Sequence, residues 1–289
     1  MEDRSTKKTG RPRPRLLRAL GKADPPHEIE LDGSLYRRVD IFKHDSWAAT
    51  ALYEGKRGKV VAKFNRKQPI FGFPMHWLGR LLAAREARIL QRLADLPNVP
   101  CYSGELTVGG IAQPNSVAHD YVEGHPFERG ERVDDAFFPK LQKLVKDIHA
   151  LDLAYVDLSK RENIIVGADG QPYLVDFQIS FILPGWWPGN SWPIRKFLQL
   201  AQNADEYHVF KHFYNSRPDL LTEEQQKIAT HRPWLIRAFR RLGNPTRSLR
   251  RRLLVLLRVR TGKGRVESEH DPEEGARRRI ESSKKSISL

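Results

Sequence analysis

The sequence is poor in cysteine and in long apolar runs, and each absence excludes a class of protein. Its one cysteine, Cys101, cannot close an intrachain disulfide, so we expect a reducing compartment. No apolar run reaches the roughly 18 residues that span a bilayer. The N-terminal stretch is basic but lacks the apolar h-region of a secretory signal. We therefore expect a cytoplasmic protein.

Glycine and proline are present but have no period, which excludes fibrous classes of protein. Hydrophobic residues make up 39% of the 289 residues and charged residues 29%. This is the composition of a globular chain that forms one large domain or two small ones.

The net charge of +15 is concentrated at two ends of the chain. Residues 1–22 carry +6 and residues 237–265 carry +11, whereas residues 23–236 and 266–289 carry −1 each. Basic ends of this kind bind polyanions such as anionic lipid, RNA or DNA. Solvated tails that aid solubility have the same composition, so both interpretations stay open.

Alternating apolar residues predict a set of short strands in the first half of the chain. They cover Leu35–Phe42, Ala48–Glu54, Lys59–Asn65, Tyr102–Val108 and Ser116–Val122. A small hairpin, Ile164–Val166 with Tyr173–Val175, follows around a Gly-Ala-Asp-Gly turn.

Apolar residues at helical spacing predict helices at 78–95 and at Phe137–Leu151. In the first, the inward stripe comprises Leu78, Leu81, Leu82, Ile89, Leu90 and Leu93. A Thr-x-x-Gln capping box at Thr222 opens a further helix, and 247–259 reads as a basic, leucine-rich helix. The element order predicts an α+β fold with two lobes.

The residues that carry chemistry are concentrated between 148 and 178. Phosphoryl transfer needs a carboxylate that takes a proton from the acceptor hydroxyl, oxygen ligands for Mg²⁺, and a cation beside the phosphates. Asp157, Asn163 and Asp176 supply the oxygen groups. Lys63, on an early strand, and Glu86, on the next helix, complete such a set.

These motifs resemble those of the protein-kinase-like superfamily. Tyr155-Val156-Asp157-Leu158 with Asn163 is similar to the catalytic loop, Asp176-Phe177-Gln178 to the D-F-G metal motif, and Val61-Ala62-Lys63 to the V-A-I-K strand. Tyr121-Val122-Glu123-Gly124 resembles the hinge that takes adenine. The resemblance covers residues 35–215. It is nearest to compact bacterial lipopolysaccharide core-sugar (Kdo-type) kinases and to RIO-like atypical kinases.

The resemblance implies a bilobal kinase-like fold that binds ATP and Mg²⁺, with Mn²⁺ as an alternative metal. A small antiparallel-sheet lobe would occupy 27–124 and a reduced, mainly helical lobe 125–260, between disordered segments at 1–26 and 261–289.

The resemblance also assigns roles to single residues. Asp157 would be the catalytic base, and Asn163 and Asp176 the metal ligands. Lys63, paired with Glu86, would contact the nucleotide phosphates, and Lys160 the transferring phosphate. Glu54 and Glu105 are rival partners for Lys63.

The sequence departs from the kinase pattern at several positions. Asn163 lies six residues after Asp157, where the motif has five, and Gln178 replaces glycine. No glycine occurs in Val39–Glu54, so phosphate contacts there would come from Lys43, Ser46, Thr50 or backbone amides. No A-P-E follows Asp176. These departures favour, as the alternative function, a pseudokinase that acts as a nucleotide-binding or scaffold protein at an anionic membrane or RNA surface.

The acceptor hydroxyl belongs either to the sugar of a membrane lipid or to a protein. Phe181–Leu200 holds three tryptophans and reads either as a core-packed segment or as a membrane-interface patch, since tryptophan favours that boundary. The helix 247–259 reads either as packed on the domain or as lying on an anionic surface. A simple nucleic-acid-binding module would explain the basic ends but would leave the kinase-like motifs unexplained.

Overall fold

The computed structural model describes residues 18–69, 73–185 and 191–231. It is a mixed α+β protein, as the element order predicts, with a seven-stranded antiparallel sheet and four α-helices in the described residues. The predicted helix at 247–259, the tail at 261–289, residues 1–17 and the tryptophans at 186 and 187 lie outside the described residues.

Within the described ranges, twelve strands form three sheets. They are β1 (Glu28–Leu31), β2 (Ser34–His44), β3 (Ala48–Gly55), β4 (Gly58–Asn65), β5 (Leu106–Val108), β6 (Ile111–Ala112), β7 (Ser116–Asp120), β8 (Gly124–Pro126), β9 (Leu153–Ala154), β10 (Ile164–Gly167), β11 (Pro172–Leu174) and β12 (Phe181–Ile182). The large sheet has the order β6-β5-β1-β2-β3-β4-β7, and the smaller sheets are β11-β10-β8 and β12-β9.

Strands β3 and β4 are buried along most of their length, which explains their continuous apolar sequences. They pair antiparallel in a register that sets Thr50 opposite Lys63 and Leu52 opposite Val61. On its other side β4 pairs with β7, where Val117 lies opposite Lys63. The register thus holds Lys63 between the neighbouring strands β3 and β7.

The helices are α1 (His76–Arg92), α2 (Phe137–Ala150), α3 (Trp192–Ser216) and α4 (Glu223–Thr230). The predicted capping box is confirmed: Gln225 N–H donates to the Thr222 hydroxyl, and the Gln225 side chain accepts from Thr222 N–H. It satisfies two of the amides that a helix N-terminus leaves without partners.

Two apolar cores lie on either side of the site described below. One is on the large sheet and includes Tyr53 and Phe64. The other packs α2 and α3 on the small hairpin, with the rings of Phe138 and Phe213 stacked at a centroid distance of 4.5 Å. Helix α1 contributes Ile89 and Leu90 to this second core, so it joins the sheet to the helical part.

The inward stripe predicted for the first helix is wrong at Leu81, which is 56% exposed. The buried side of α1 instead consists of Gly79, Ala83, Glu86, Ile89 and Leu90. The small residues on this side let the helix approach the sheet closely. Because this side of the helix faces inward, Leu81 faces outward.

Residues 18–26 differ from the expectation of a disordered segment through residue 26. Ala19 is fully buried, and its N–H donates to the Asp45 carbonyl at 2.7 Å. Lys67 N–H donates back to the Ala19 carbonyl at 3.1 Å. Ordered chain therefore begins before the first strand and packs at the tip of the β2–β3 hairpin.

Gly124, in the predicted hinge, lies very close to the backbone of β10. Gly124 has a φ of +155°, and a Cβ there would lie 2.2 Å from the Val166 carbonyl oxygen. Only glycine allows β8 to pair with β10 at this distance.

None of the helices in the described ranges combines the length and the apolar composition needed to cross a bilayer.

Candidate functional site

Lys63 lies between two carboxylates beneath the large sheet. Its Nζ is 2.7 Å from Glu86 Oε1 on α1 and 2.8 Å from Asp176 Oδ1, two residues after β11. Lys63 and Glu86 are buried, whereas the Asp176 side chain is 40% exposed. The rival carboxylates Glu54 and Glu105 are exposed. The ammonium group therefore joins the sheet, α1 and the segment after the hairpin.

The three charges shift one another's pKa values. Burial opposes the charge of Lys63, but Asp176 and Glu86 together raise its pKa. Burial also opposes the ionisation of Asp176, yet Lys63 outweighs it and lowers the pKa of Asp176 to about 2. Burial raises the pKa of Glu86, against the attraction of Lys63. Asp176 is thus a carboxylate at any physiological pH.

Asp157 anchors a second cluster on the loop between β9 and β10. Its Oδ2 accepts from Lys160 Nζ at 2.6 Å and from Asn163 Nδ2 at 3.1 Å. Asn163 ends a 3-10 turn that starts at Arg161. This turn absorbs the extra residue between Asp157 and Asn163, so the longer spacing still brings the two side chains into contact.

The small hairpin brings the two clusters together. Val175 N–H donates to the Asn163 carbonyl at 3.1 Å, which sets Asn163 beside the residue preceding Asp176. The Tyr155 hydroxyl donates to the Val175 carbonyl, and the Lys160 charge also lowers the pKa of Asp176. All six site residues predicted from the sequence therefore lie in one region.

Asp205 on α3 holds the loop that carries Asp157, and sequence reasoning missed it. It is fully buried. Its Oδ2 accepts from Tyr155 N–H at 2.7 Å and its Oδ1 from Val156 N–H at 2.8 Å. His149 Nε2 lies 3.2 Å from the same Oδ2. Only the burial of a carboxylate in the middle of α3 marks this residue, and burial is not visible in the sequence.

The backbone is strained on both sides of the site. Val156 has a φ of 72° and Asp176 a φ of 61°, a region that non-glycine residues rarely occupy and that β-branched residues avoid. Such conformations persist where surrounding contacts enforce them. Here the Asp205 carboxylate holds Val156, and Lys63 holds Asp176.

Gln178, which stands where the kinase pattern has glycine, links the segment after β11 to β4. Its Nε2 donates to Asn65 Oδ1 at 3.0 Å. Two residues on, the Ser180 hydroxyl donates to the Tyr155 carbonyl at 3.0 Å, and Arg85 on α1 donates to the Ser180 carbonyl. The segment after Asp176 is thus tied to the sheet, to α1 and to the loop.

The β2–β3 turn is closed by the side chain of Asp45. Asp45 Oδ1 accepts from Trp47 N–H at 2.7 Å and from Ala48 N–H at 2.9 Å, and Lys43 Nζ lies 3.0 Å from Asp45 Oδ2. Burial opposes the ionisation of Asp45, but Lys43 and these amides lower its pKa. The Asp45 carboxylate therefore satisfies the amides of this turn.

A small apolar cluster lies on the same side of β4 as Lys63. Val61 precedes Lys63 by two residues and so faces the same way. It packs with Phe42 and Leu52, and Tyr121 of the predicted hinge packs against them. An apolar surface next to a buried cation suits a ligand with a flat ring at one end and negative charge at the other.

The oxygen groups at the site fit a hard divalent cation. Asp176 offers a carboxylate and Asn163 an amide oxygen, the donor types that Mg²⁺ prefers. In the described ranges no group of three or more His, Cys, Asp or Glu side chains could hold a metal ion. A cation at Asp176 and Asn163 would therefore take its remaining ligands from water and from phosphate oxygens, as Mg²⁺ commonly does.

No protein-family model matches the chain, and no curated protein matches it either.

Proposed function

We propose that the protein is an ATP-dependent kinase that transfers the γ-phosphate of ATP to a hydroxyl group. One observation carries this proposal: the buried Lys63 ammonium lies within 2.8 Å of Asp176, while Asp157 and Asn163 are hydrogen-bonded beside them. A cation for the phosphates, oxygen ligands for a metal and a carboxylate for the proton are thus placed together.

The described ranges would form two lobes of a kinase-like fold on either side of this site. The large sheet and α1 would form the smaller lobe, and the helical core the larger one. Adenine would lie against Val61 and Tyr121, with the phosphates towards Lys63.

In the reaction, the acceptor oxygen attacks the γ-phosphorus and the bond from that phosphorus to the β–γ bridging oxygen breaks, releasing ADP. Asp157 accepts the proton of the acceptor hydroxyl. Lys160, which lies 2.6 Å from Asp157, contacts the transferring phosphate. When bound at Asn163 and Asp176, Mg²⁺ neutralises phosphate charge, and Mn²⁺ is the alternative ion.

The experiment is incubation of the purified protein with radiolabelled ATP and either membrane or soluble extracts. The wild type should label an acceptor, whereas Asp157→Ala and Asp176→Ala should reduce labelling by orders of magnitude. Asp157→Ala should retain ATP binding, because Asp157 acts on the acceptor. Asp147→Ala on α2 is the matched control and should label normally. Wild-type labelling by Asp157→Ala would contradict the assignment.

The same experiment separates two acceptors, a sugar of a membrane lipid and a protein. Labelled material that partitions into organic solvent indicates a lipid, and labelled material that is digested by protease indicates a protein. We propose that the protein is cytoplasmic. With a lipid as the acceptor, it would bind peripherally at the inner face of a membrane.

The β2–β3 turn favours a second candidate function, a catalytically weak pseudokinase that acts as a nucleotide-binding or scaffold protein. Asp45 satisfies the amides of Trp47 and Ala48, which weakens phosphate binding at this turn. Thermal shifts with Mg-ATP and Mn-ATP test it. A shift without phosphotransfer indicates a nucleotide-binding pseudokinase, and no shift with either metal indicates a scaffold.

A further inference from the structure

The outward side of α1 carries large apolar side chains in place of the polar residues usual on a surface helix. Trp77 is 62% exposed and Leu81 56% exposed, and Phe73, just before the helix, is 74% exposed. Trp77, Leu81 and the exposed Ala84 are spaced at one helical turn each and so form one stripe. An exposed apolar stripe of this kind marks an interaction site.

The stripe lies beside the segment that follows Asp176. Arg85, one turn beyond Leu81, donates to the Ser180 carbonyl. Next to Ser180 lie Ile179, which is 50% exposed, and Phe181, whose ring contacts that of Phe197 at 5.0 Å. We call this surface the apolar face. It consists of Phe73, Trp77, Leu81 and Ile179.

The charge around the apolar face is mainly positive. Arg80 and Arg88 are exposed on α1, whose one acidic residue, Glu86, is buried against Lys63. From 177 to 204 the sequence contains no Asp or Glu. Arg195 and Lys196, with Trp192, line a cavity of about 560 Å³, which Asp152 also lines.

We propose that the apolar face docks the protein on a bilayer that contains anionic lipids. Tryptophan sits at the boundary between lipid and water, and arginine beside it contacts anionic headgroups. Aliphatic side chains such as Leu81 and Ile179 gain from insertion between lipids, whereas they have no stacking surface for the bases of an RNA. The chemistry therefore favours lipid over nucleic acid.

Docking through this face would bring the acceptor of a membrane lipid to the site. This step alone rests on the proposed function. Ile179 follows Asp176 by three residues, so the apolar face borders the site. A bound protein would hold Asp157 near the headgroups, where the hydroxyl of a lipid-anchored sugar is within reach.

The test is co-sedimentation of the full chain, without nucleotide, with vesicles of equimolar phosphatidylcholine and phosphatidylglycerol. High salt screens the binding of the basic ends, so the binding that survives it reports apolar insertion. Trp77→Ser/Leu81→Ser should lower this salt-resistant partition coefficient about tenfold or more. Ile111→Ser, which removes a 70% exposed side chain on β6, should leave it unchanged. At low salt, where electrostatic attraction also contributes, Arg80→Gln and Arg88→Gln should each lower the total partition coefficient about fivefold.

Several outcomes would overturn the proposal. One is unchanged salt-resistant binding by the double variant, and another is its absence in the wild type. A dimer that Trp77→Ser/Leu81→Ser abolishes would assign the face to a second copy of the chain. A mobility shift of RNA lost in the same variant would assign it to nucleic acid. A photo-crosslinker on Trp77→Cys, in a Cys101→Ser background, that maps to residues 232–289 would show that the chain covers its own face. Loss of phosphotransfer affects none of these readouts, so failure of the proposed function remains distinguishable.

Discussion

The ammonium group of Lys63 lies 2.7 Å from the carboxylate of Glu86, inside the protein. Replacing Lys63 by methionine leaves Glu86, which has no solvent exposure, without its counter-ion. Breaking one half of a buried pair costs about 3–5 kcal/mol. We therefore expect Lys63→Met to lower the free energy of unfolding by about this amount, measured by urea denaturation.

The double variant Lys63→Met/Glu86→Leu is the control for this prediction. Replacing both charges by apolar groups should recover most of the lost stability, while phosphotransfer stays absent. If the single variant is as stable as the wild type, Glu86 does not depend on Lys63 for its charge.

Asp205→Ala should disable the loop that carries Asp157. The change leaves the buried amide of Tyr155 and the partly buried amide of Val156 without their acceptor, and an unsatisfied buried amide costs roughly 1–3 kcal/mol. We expect kcat to fall at least about a hundredfold with little change in ATP binding, because Asp205 positions the loop and does not touch the nucleotide. Glu206→Gln, at the exposed next position, should be neutral. Equal losses in both variants would point to general damage to α3.

Stability should fall on mild acidification because of buried His212. Burial lowers its pKa to about 4, and its Nε2–H donates to the Leu158 carbonyl at 2.7 Å. The unfolded chain has the ordinary pKa of 6.5, so between these values it binds more protons than the folded protein. The free energy of unfolding then decreases as pH falls from about 6.5 to about 4, by roughly 3 kcal/mol for this group.

Denaturation of wild type and two variants at pH 7.5 and pH 4.5 tests the His212 prediction. His212→Gln and His212→Phe should both weaken the pH dependence, since neither side chain titrates. Only the phenylalanine variant also leaves the Leu158 carbonyl without a donor, so it should be the less stable at pH 7.5. Buried His44, whose pKa is also lowered to about 4, should maintain a remaining slope in both. An unchanged slope would rule out His212 as a source.

Gly79→Ala should destabilise the protein, although alanine is the better helix former by about 1 kcal/mol. A Cβ at Gly79 would lie 2.5 Å from both the Arg66 carbonyl oxygen and Asn115 Nδ2. Relieving overlap in a packed core costs about 1–3 kcal/mol, so the overlap outweighs the helix propensity. The exposed reference change Ala84→Gly should cost about 1 kcal/mol in the same urea assay. A net gain from Gly79→Ala would show that α1 can move away from β4.

The sequence predicts well those parts of the fold whose partners are close along the chain. Strands β3 and β4 have continuous apolar runs joined by a glycine turn, and α2 has a clear apolar stripe, so their bounds agree to within one or two residues. The six site residues were predicted because their sequences resemble a motif, and the structure brings them into one region. The α+β class, predicted from the order of these elements, is confirmed.

The sequence pattern does not predict the bounds of helix α3, because this helix is buried on more than one side. Tyr207 and Val209 are both buried, yet residues two apart face different directions on a helix, so the sequence has no single apolar stripe. The prediction that Leu81 faces inward is wrong for the opposite reason. Leu81 continues an apolar stripe in the sequence but lies outside the packed side of α1. Neither the burial of Asp205 nor the anchoring of Gln178 by Asn65 follows from local pattern.

The dependence of the Asp157 loop on Asp205 also limits the order of events during synthesis. The Val156 conformation is enforced by a carboxylate on α3, about fifty residues later in the chain. While the ribosome has released the chain only as far as the small hairpin, the loop has its sequence but not the anchor that bends it. The nascent protein can thus begin to bury its first core early, but the Asp157 loop reaches its folded conformation only after α3 has emerged and docked.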